Sequence, residues 1–417
     1  MFLFSLIAFA LIGCEDKITE TVTYKINEPI FMSSSTFRNS VKVITEPHKI
    51  TNVGKMCFYK DYLYISEPEK GIHIIDNRNP ENPQIVGFIE LMGNADLAIR
   101  NEQLYADSYI DLVWFDITNP ALPELKGRLD SIFPTALPMT ENQYGIDYAQ
   151  CYSGSNQGIV IGWKLTKKTE DLNHYTGGWW RGGIYMNDIA VAATEKGGNT
   201  GINGSMSRFT IYSDHLYSVI NNQMNIFDLT GENPKKATEN TYLWGNVETI
   251  FSYKDNMFMG TPTGMLIFSM KDPLKPEYQS SITHAYGCDP VVVDNDLAYV
   301  TVHSGNTCGQ NTNELFIVDV KDVKNPKQLV TYNMINPKGL SIDDGKLFLC
   351  DDGLKIFTIT EPQTLMSNKI AHFKYMAGFD VISYNNIVMM IAEDGIYQYD
   401  YSNISLIKYL SKIPIGQ

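Results

Sequence analysis

One phrase recurs seven times along this chain: an apolar strand, a short gap, a second apolar strand that ends in Asp, and a Pro turn. It first reads Asp61-Tyr-Leu-Tyr-Ile-Ser66, then Gly71-Ile-His-Ile-Ile-Asp76, then Asn79-Pro80-Glu81-Asn82-Pro83. The terminal Asp position returns at Asp116, Asp228, Ser269, Asp319, Thr358 and Asp400, at intervals of 40, 112, 41, 50, 39 and 42 residues. A period near 40 with several strands in each period excludes helical repeats, whose units alternate helices. It predicts an all-β chain folded as a β-propeller, with seven blades of four antiparallel strands.

Each repeat divides into four strands. In the second, Asp96 to Arg100 is innermost, followed by Gln103 to Asp107, Asp111 to Ile117 and an outermost strand Glu124 to Leu129. The Asn119-Pro120-Ala-Leu-Pro123 element between the last two has a mechanical role. Proline fixes φ and has no amide to donate, so it breaks the ladder and sends the chain to the sheet edge. The Asp that closes the third strand recurs once per blade. That favours one repeated structural job, the acceptance of amide hydrogen bonds at the strand exit, over catalysis. Strands such as Leu315-Phe-Ile-Val-Asp319 are apolar at nearly every position, as expected for sheets covered on both faces.

Leu315 to Asp319 resembles the signature of the LVIVD-repeat family, and Gly71 to Asp76, Leu112 to Asp116 and Met224 to Asp228 are variants of it. The resemblance runs over roughly Val41 to Leu410. It implies a propeller on an exported bacterial protein. The family has no well-defined activity, so the resemblance assigns no catalytic residue.

The 112-residue interval leaves about 70 residues over. Leu137 to Tyr144 falls in register with Leu97 to Leu104, and Gly158 to Trp163 mimics a third strand without its Asp. A degenerate eighth blade is the alternative to seven blades bearing an insertion at about 134–204. The propeller is expected over 41–411, after a tether at 14–40 and a signal peptide at 1–13.

Phe2 to Ile12 is apolar but far shorter than the roughly 20 residues of a spanning helix. It ends in Leu11-Ile-Gly-Cys14, followed by Glu15-Asp16. This resembles a bacterial lipoprotein signal whose Cys14 is acylated, although no Lys or Arg precedes the apolar run. The acidic pair also resembles the surface-export signal of lipoproteins in the Bacteroidetes. The expected partner is therefore the membrane, through an N-terminal lipid anchor. The expected place is the outer membrane, facing the periplasm or the cell surface. Of the other cysteines, Cys57 and Cys350 sit within strand patterns and read as buried, inert thiols. Cys288 and Cys308 flank one strand pair and are expected to form a disulfide.

A net charge of −14 argues against a nucleic-acid partner, since phosphate binding needs clustered Lys and Arg. No H-x-H or H-E-x-x-H spacing suggests a metal site, no G-x-S-x-G or phosphate loop occurs, and no cofactor is expected. Asp343-Asp-Gly345 and Asp351-Asp-Gly353 lack the alternation of a calcium loop and read as turns. One segment exceeds what a scaffold needs. Tyr175-Thr-Gly-Gly-Trp179-Trp180-Arg181-Gly-Gly183 places two Trp and an Arg in a Gly-rich loop, residue types enriched in binding hot spots. Tyr175, Trp179, Trp180 and Arg181 are thus the candidate binding residues for a protein or glycan partner. No residue is singled out as catalytic. The expected function is a non-enzymatic binding module, and the alternative is a propeller lyase or hydrolase with its site at the central channel.

Overall fold

The structure, a computed structural model, describes residues 21–140, 142–152, 157–171, 202–203, 205, 207–283, 290–303 and 312–416. Seven sheets among these residues start from three consecutive antiparallel strands, and in every one a later segment pairs beyond the third. In the second sheet the strands are Leu97–Arg100, Gln103–Ser108, Asp111–Asp116 and Glu124–Leu129, within a residue or two of the sequence reading. The seventh ends in Lys408–Pro414, so the repeat region runs slightly past 411.

The turn chemistry follows the sequence. The hairpins at 60–61, 101–102, 213–214, 295–296 and 385–386 hold both central residues at positive φ, the turn that matches strand twist. Asp, Asn and Ser supply most of these positions because they tolerate that conformation. At the exit of the third strand the recurring Asp accepts the amide two residues on. Its Oδ1 lies 3.1 Å from Arg78 N at Asp76, 2.8 Å from Thr118 N at Asp116 and 2.8 Å from Thr230 N at Asp228. The same bond measures 2.9 Å at Asp319 and 2.8 Å at Asp400. The outer strand then pairs through a bulge at Ile74/Ile75, Ile267/Phe268, Ile317/Val318, Ile356/Phe357 and Gln398/Tyr399.

The Pro turns also join neighbours. The Pro120 carbonyl accepts Tyr64 Oη of the sheet before it, Pro273 accepts Tyr217 Oη and Pro362 accepts Tyr332 Oη. Consecutive sheets bury apolar faces against each other, and the last sheet packs on the first. Ile382, Met389, Ile391 and Ile413 lie against Met56, Phe58, Ile65 and Ile75. At that junction Asn77 and Gln398 exchange amide hydrogen bonds of 2.9 and 2.7 Å, and Ser411 Oγ donates to Pro80 O at 2.6 Å.

Two sequence expectations need correction. Residues 21–38, read as part of a tether, form a strand Thr21–Met32 and a short helix Ser34–Arg38. The strand pairs over its whole length with Ile159–Asp171 of the insertion, partners too far apart in sequence for local pattern to reveal. The helix is fixed by Arg38, whose guanidinium makes two hydrogen bonds to buried Asp111, at 2.9 and 3.1 Å. Phe37 stacks on Tyr109 beside it. The run Gly158 to Trp163, read in the alternative as a degenerate third strand, belongs instead to this separate sheet with Thr21–Met32 and Gly145–Ile146.

Candidate functional site

Charged residues stand at or near the start of the first strand in six of the seven sheets, the fifth being the exception among the described residues. Lys55 precedes Met56–Tyr59, Asp96 precedes Leu97–Arg100, Arg208 precedes Phe209–Tyr212 and Glu248 precedes Thr249–Tyr253. Lys338 comes two residues before Leu340–Asp343, and Asp380 lies within Gly378–Tyr384. Lys55 feels the opposite charges of Asp96, Asp380 and Asp107 together with the like charge of Arg208. Sequence reasoning missed this set, because burial of these residues is decided by the packing of separate sheets.

The described residues at and just past the end of the insertion bond to several of these strands. Ile202–Asn203 pairs with the inner edge of the first sheet, opposite Phe58 and Cys57. Ser205 donates its N–H and its Oγ–H to Asp380 Oδ1, at 3.3 and 3.2 Å, while its Oγ accepts Leu340 N at 2.9 Å. Ser207 Oγ donates to Asp96 Oδ1 at 2.5 Å and Arg208 N to Asp96 Oδ2 at 2.7 Å. Asp107 Oδ1 accepts the amides of Ala95 and Asp96 at 2.7 and 2.9 Å and the Asn94 side chain at 3.1 Å. Ile202–Asn203, Ser205 and Ser207 thus bond to the first, second, sixth and seventh sheets, and Ser207 O accepts Ile250 N of the fourth at 2.9 Å.

Burial sets the protonation chemistry here. Asp380 and Asp107 are withdrawn from water, which favours the neutral acid and raises their pKa to about 7 and about 6. For Asp380 the Val381 amide and Lys55 oppose the rise without cancelling it. The same desolvation lowers Lys55 to about 7 against the pull of Asp96. These values are suited to proton transfer near neutrality. The side chains are nevertheless buried and engaged with one another, Lys55 being 7 % exposed and Asp380 fully covered.

A second buried cluster lies in the first sheet. His73 Nε2 is 2.6 Å from Glu67 Oε2, and Glu67 also accepts Lys70 Nζ at 2.6 Å and the Thr51 hydroxyl. Burial acts to raise the Glu67 carboxyl, but these donors outweigh it and hold the pKa at about 2. The cluster ties Thr51 to the sheet. Asp351 has a comparable role: its Oδ1 accepts the amides of Ile335 and Asn336 at 3.0 and 2.6 Å. Among the described residues no group of three or more His, Cys, Asp or Glu is placed to hold a metal ion.

The exposed candidate is aromatic. Just after the two-residue strand Thr241–Tyr242 the chain bends, burying Leu243 and leaving both rings outward, with Tyr242 73 % and Trp244 53 % exposed. Trp244 meets Tyr278 of the next sheet edge-on at 5.0 Å and leans on Phe268 at 5.9 Å. The sequence-derived candidates Tyr175, Trp179, Trp180 and Arg181 lie outside the described residues, as do Cys14, Cys288 and Cys308. Cys57 and Cys350 are buried free thiols, each pushed well above the usual thiol range by burial.

The architecture is an all-β, propeller-like arrangement of antiparallel sheets. Two solved structures share it. A protein from Lactobacillus plantarum superposes with a TM-score of 0.53 at 11 % identity, covering 87 % of this chain and 97 % of that one. The periplasmic gluconolactonase of Pseudomonas aeruginosa gives 0.53 at 8 % identity, covering 88 % and 97 %. At such identities the likeness is one of fold. Within that class the LVIVD repeat family model matches residues 54–90 and 96–131, which fall in the first two sheets. No curated protein matches the sequence.

Proposed function

We propose that the seven sheets are the blades of one propeller, and that the protein is a non-enzymatic binding module for protein or glycan. We further propose that an acylated Cys14 anchors it in the outer membrane, facing the periplasm or the cell surface. The observation that carries the binding reading is that the buried acids Asp380, Asp96 and Asp107 are committed to Ser205, Ser207 and backbone amides rather than facing an open cleft. The exposed rings of Tyr242 and Trp244 offer a contact surface instead. The packing of the last sheet on the first supports the seven-bladed ring. The anchor rests on Leu11-Ile-Gly-Cys14 in the sequence.

One observation favours the enzyme reading: two carboxyls raised toward neutrality beside a lysine lowered to about 7. Paired variants separate the two. Trp244→Ala should abolish retention on immobilised glycans or envelope proteins with the fold intact, while Lys55→Met should leave retention unchanged. Turnover of ester, lactone or glycoside substrates that disappears in Lys55→Met would establish the enzyme instead. Cys14→Ser should move the protein out of the membrane fraction or leave its precursor unprocessed. A normally processed, membrane-bound variant would refute the anchor.

A further inference from the structure

We infer that the surface around Trp244 binds a neutral carbohydrate, with the apolar face of a sugar ring stacked on the indole. The inference rests on the binding-module reading above and narrows it to one ligand class. The indole is held from behind: Phe268 and Tyr278 contact it from the neighbouring sheet, at 5.9 and 5.0 Å. The chain around it is also held. Leu243 N donates to Asn222 O at 2.8 Å, and Gly245 and Asn246 take positive φ of 92° and 52° to turn the backbone away from the ring. A supported, immobile aromatic face loses little entropy when a ligand covers it.

The polar groups beside the rings are amides and hydroxyls. Asn240 Nδ2 donates to Gln223 Oε1 at 2.9 Å, and Gln223 Nε2 donates to Tyr242 Oη at 3.0 Å. Asn222 Nδ2 donates to Asn246 Oδ1 at 2.8 Å, and Tyr278 Oη reaches Ser281 Oγ at 3.1 Å. Each of these side chains both donates and accepts, as sugar hydroxyls do, and an amide matches a vicinal diol in two directions. Glu239 is the single charged residue between 237 and 247, in a chain that is 19 % charged. An acidic glycan would call for Arg or Lys beside the rings. Three exposed rings, Tyr242, Trp244 and Tyr278, with the amides of Asn222, Gln223 and Asn246 beside them suit one or two sugar units better than the water-excluded patch of a protein hot spot.

Affinity gel electrophoresis of the full chain tests this with soluble mannan, xylan, β-glucan and galactan as probes, polygalacturonate beside them, and envelope-protein pull-downs in parallel. At least one neutral polysaccharide should retard the protein, with little sensitivity to added salt. Trp244→Ala should remove the retardation, and Trp244→Phe should keep part of it. A melting temperature close to that of the parent shows that the Ala variant is folded. If that variant melts, intrinsic fluorescence of the parent supplies the readout, since a stacked sugar shifts the Trp244 emission. Absence of retardation by every neutral polysaccharide overturns the inference, as does retention by polygalacturonate alone or retention that survives Trp244→Ala. Trp244-dependent capture of a protein, without any glycan, overturns the carbohydrate inference and leaves the binding-module reading standing.

Discussion

Replacing Asp380 by Asn should change the pH dependence of stability more than its average. In the folded chain burial raises this carboxyl from 3.8 to about 7. Between roughly pH 4 and pH 7 the native state therefore holds a proton that the unfolded chain has released. Its contribution is fully present below about pH 4 and is lost as pH rises through 7. The span corresponds to roughly 4 kcal/mol at about 1.4 kcal/mol per tenfold change. Asn has the same shape, and its oxygen can still accept from Ser205 N and Oγ, but it does not titrate. Its amide nitrogen would stand where Asp380 Oδ2 has no hydrogen-bond partner, a pH-independent cost of about 1–3 kcal/mol. The variant should thus be somewhat less stable than the parent at pH 4 and equal or more stable at pH 8. Asp107, raised to about 6, titrates in both proteins and cancels in the difference. Lys55 acts in the opposite sense and a different window. Its value is lowered from 10.5 to about 7, so its contribution is present above about pH 10.5 and is lost as pH falls through 7. Urea unfolding of both proteins at each pH from 4 to 8, extrapolated with a common m-value, gives the difference directly. Parallel stability curves would show that Asp380 is not a buried acid and would refute the account of this cluster.

Gly264 sits at φ +148°, and a Cβ there would lie 2.0 Å from Ile282 O, so Gly264→Ala should cost about 2–4 kcal/mol in denaturant unfolding. Gly71 and Gly353 hold the equivalent position, with the outer-strand carbonyl at 1.9 and 2.0 Å, and should respond alike. Arg38→Met leaves buried Asp111 with Arg128 at 2.9 Å and the Ser131 amide at 2.7 Å; a loss of about 1–3 kcal/mol and new protease cleavage near residues 33–40 are expected. Asp228→Ala removes the acceptor for Thr230 N and Oγ at a strand exit and should cost about 1 kcal/mol by thermal unfolding. Non-reducing peptide mapping of protein from the cell envelope should find Cys288 joined to Cys308, and free thiols at both would remove that bridge.

What the sequence disclosed was local. Strand lengths, positive-φ turns and the Asp at each strand exit are decided by neighbours within a few residues, so the second sheet is legible from Leu97 to Leu129. Thr21–Met32 was hidden because its ladder partner, Ile159–Asp171, lies far along the chain, and its own pattern is broken by Pro29 and by charge. The buried charged residues were hidden for another reason. Lys55, Asp96 and Asp380 are ordinary polar letters beside turns, and only three-dimensional closure withdraws them from water. Trp244 lies in a bend just past Tyr242, and nothing local shows that its ring is left uncovered.

The segment 202–207 has a consequence for synthesis. Ser205 reaches Asp380 across 175 positions, and the first sheet presents Met56, Phe58 and Ile65 to a partner that is made last. Among the described residues that junction is held by apolar packing and by bonds from the last sheet to the first, Asn77 with Gln398 and Ser411 with Pro80 O. The Gly416 amide also donates to Ile50 O at 2.9 Å. A growing polypeptide can complete its early sheets one after another, yet it must keep a sticky apolar flank waiting until the final forty residues arrive. Closing so long a loop is entropically costly and slow. The open arc is therefore the species most exposed to aggregation and proteolysis, and the one an exporting cell would need a chaperone to shield.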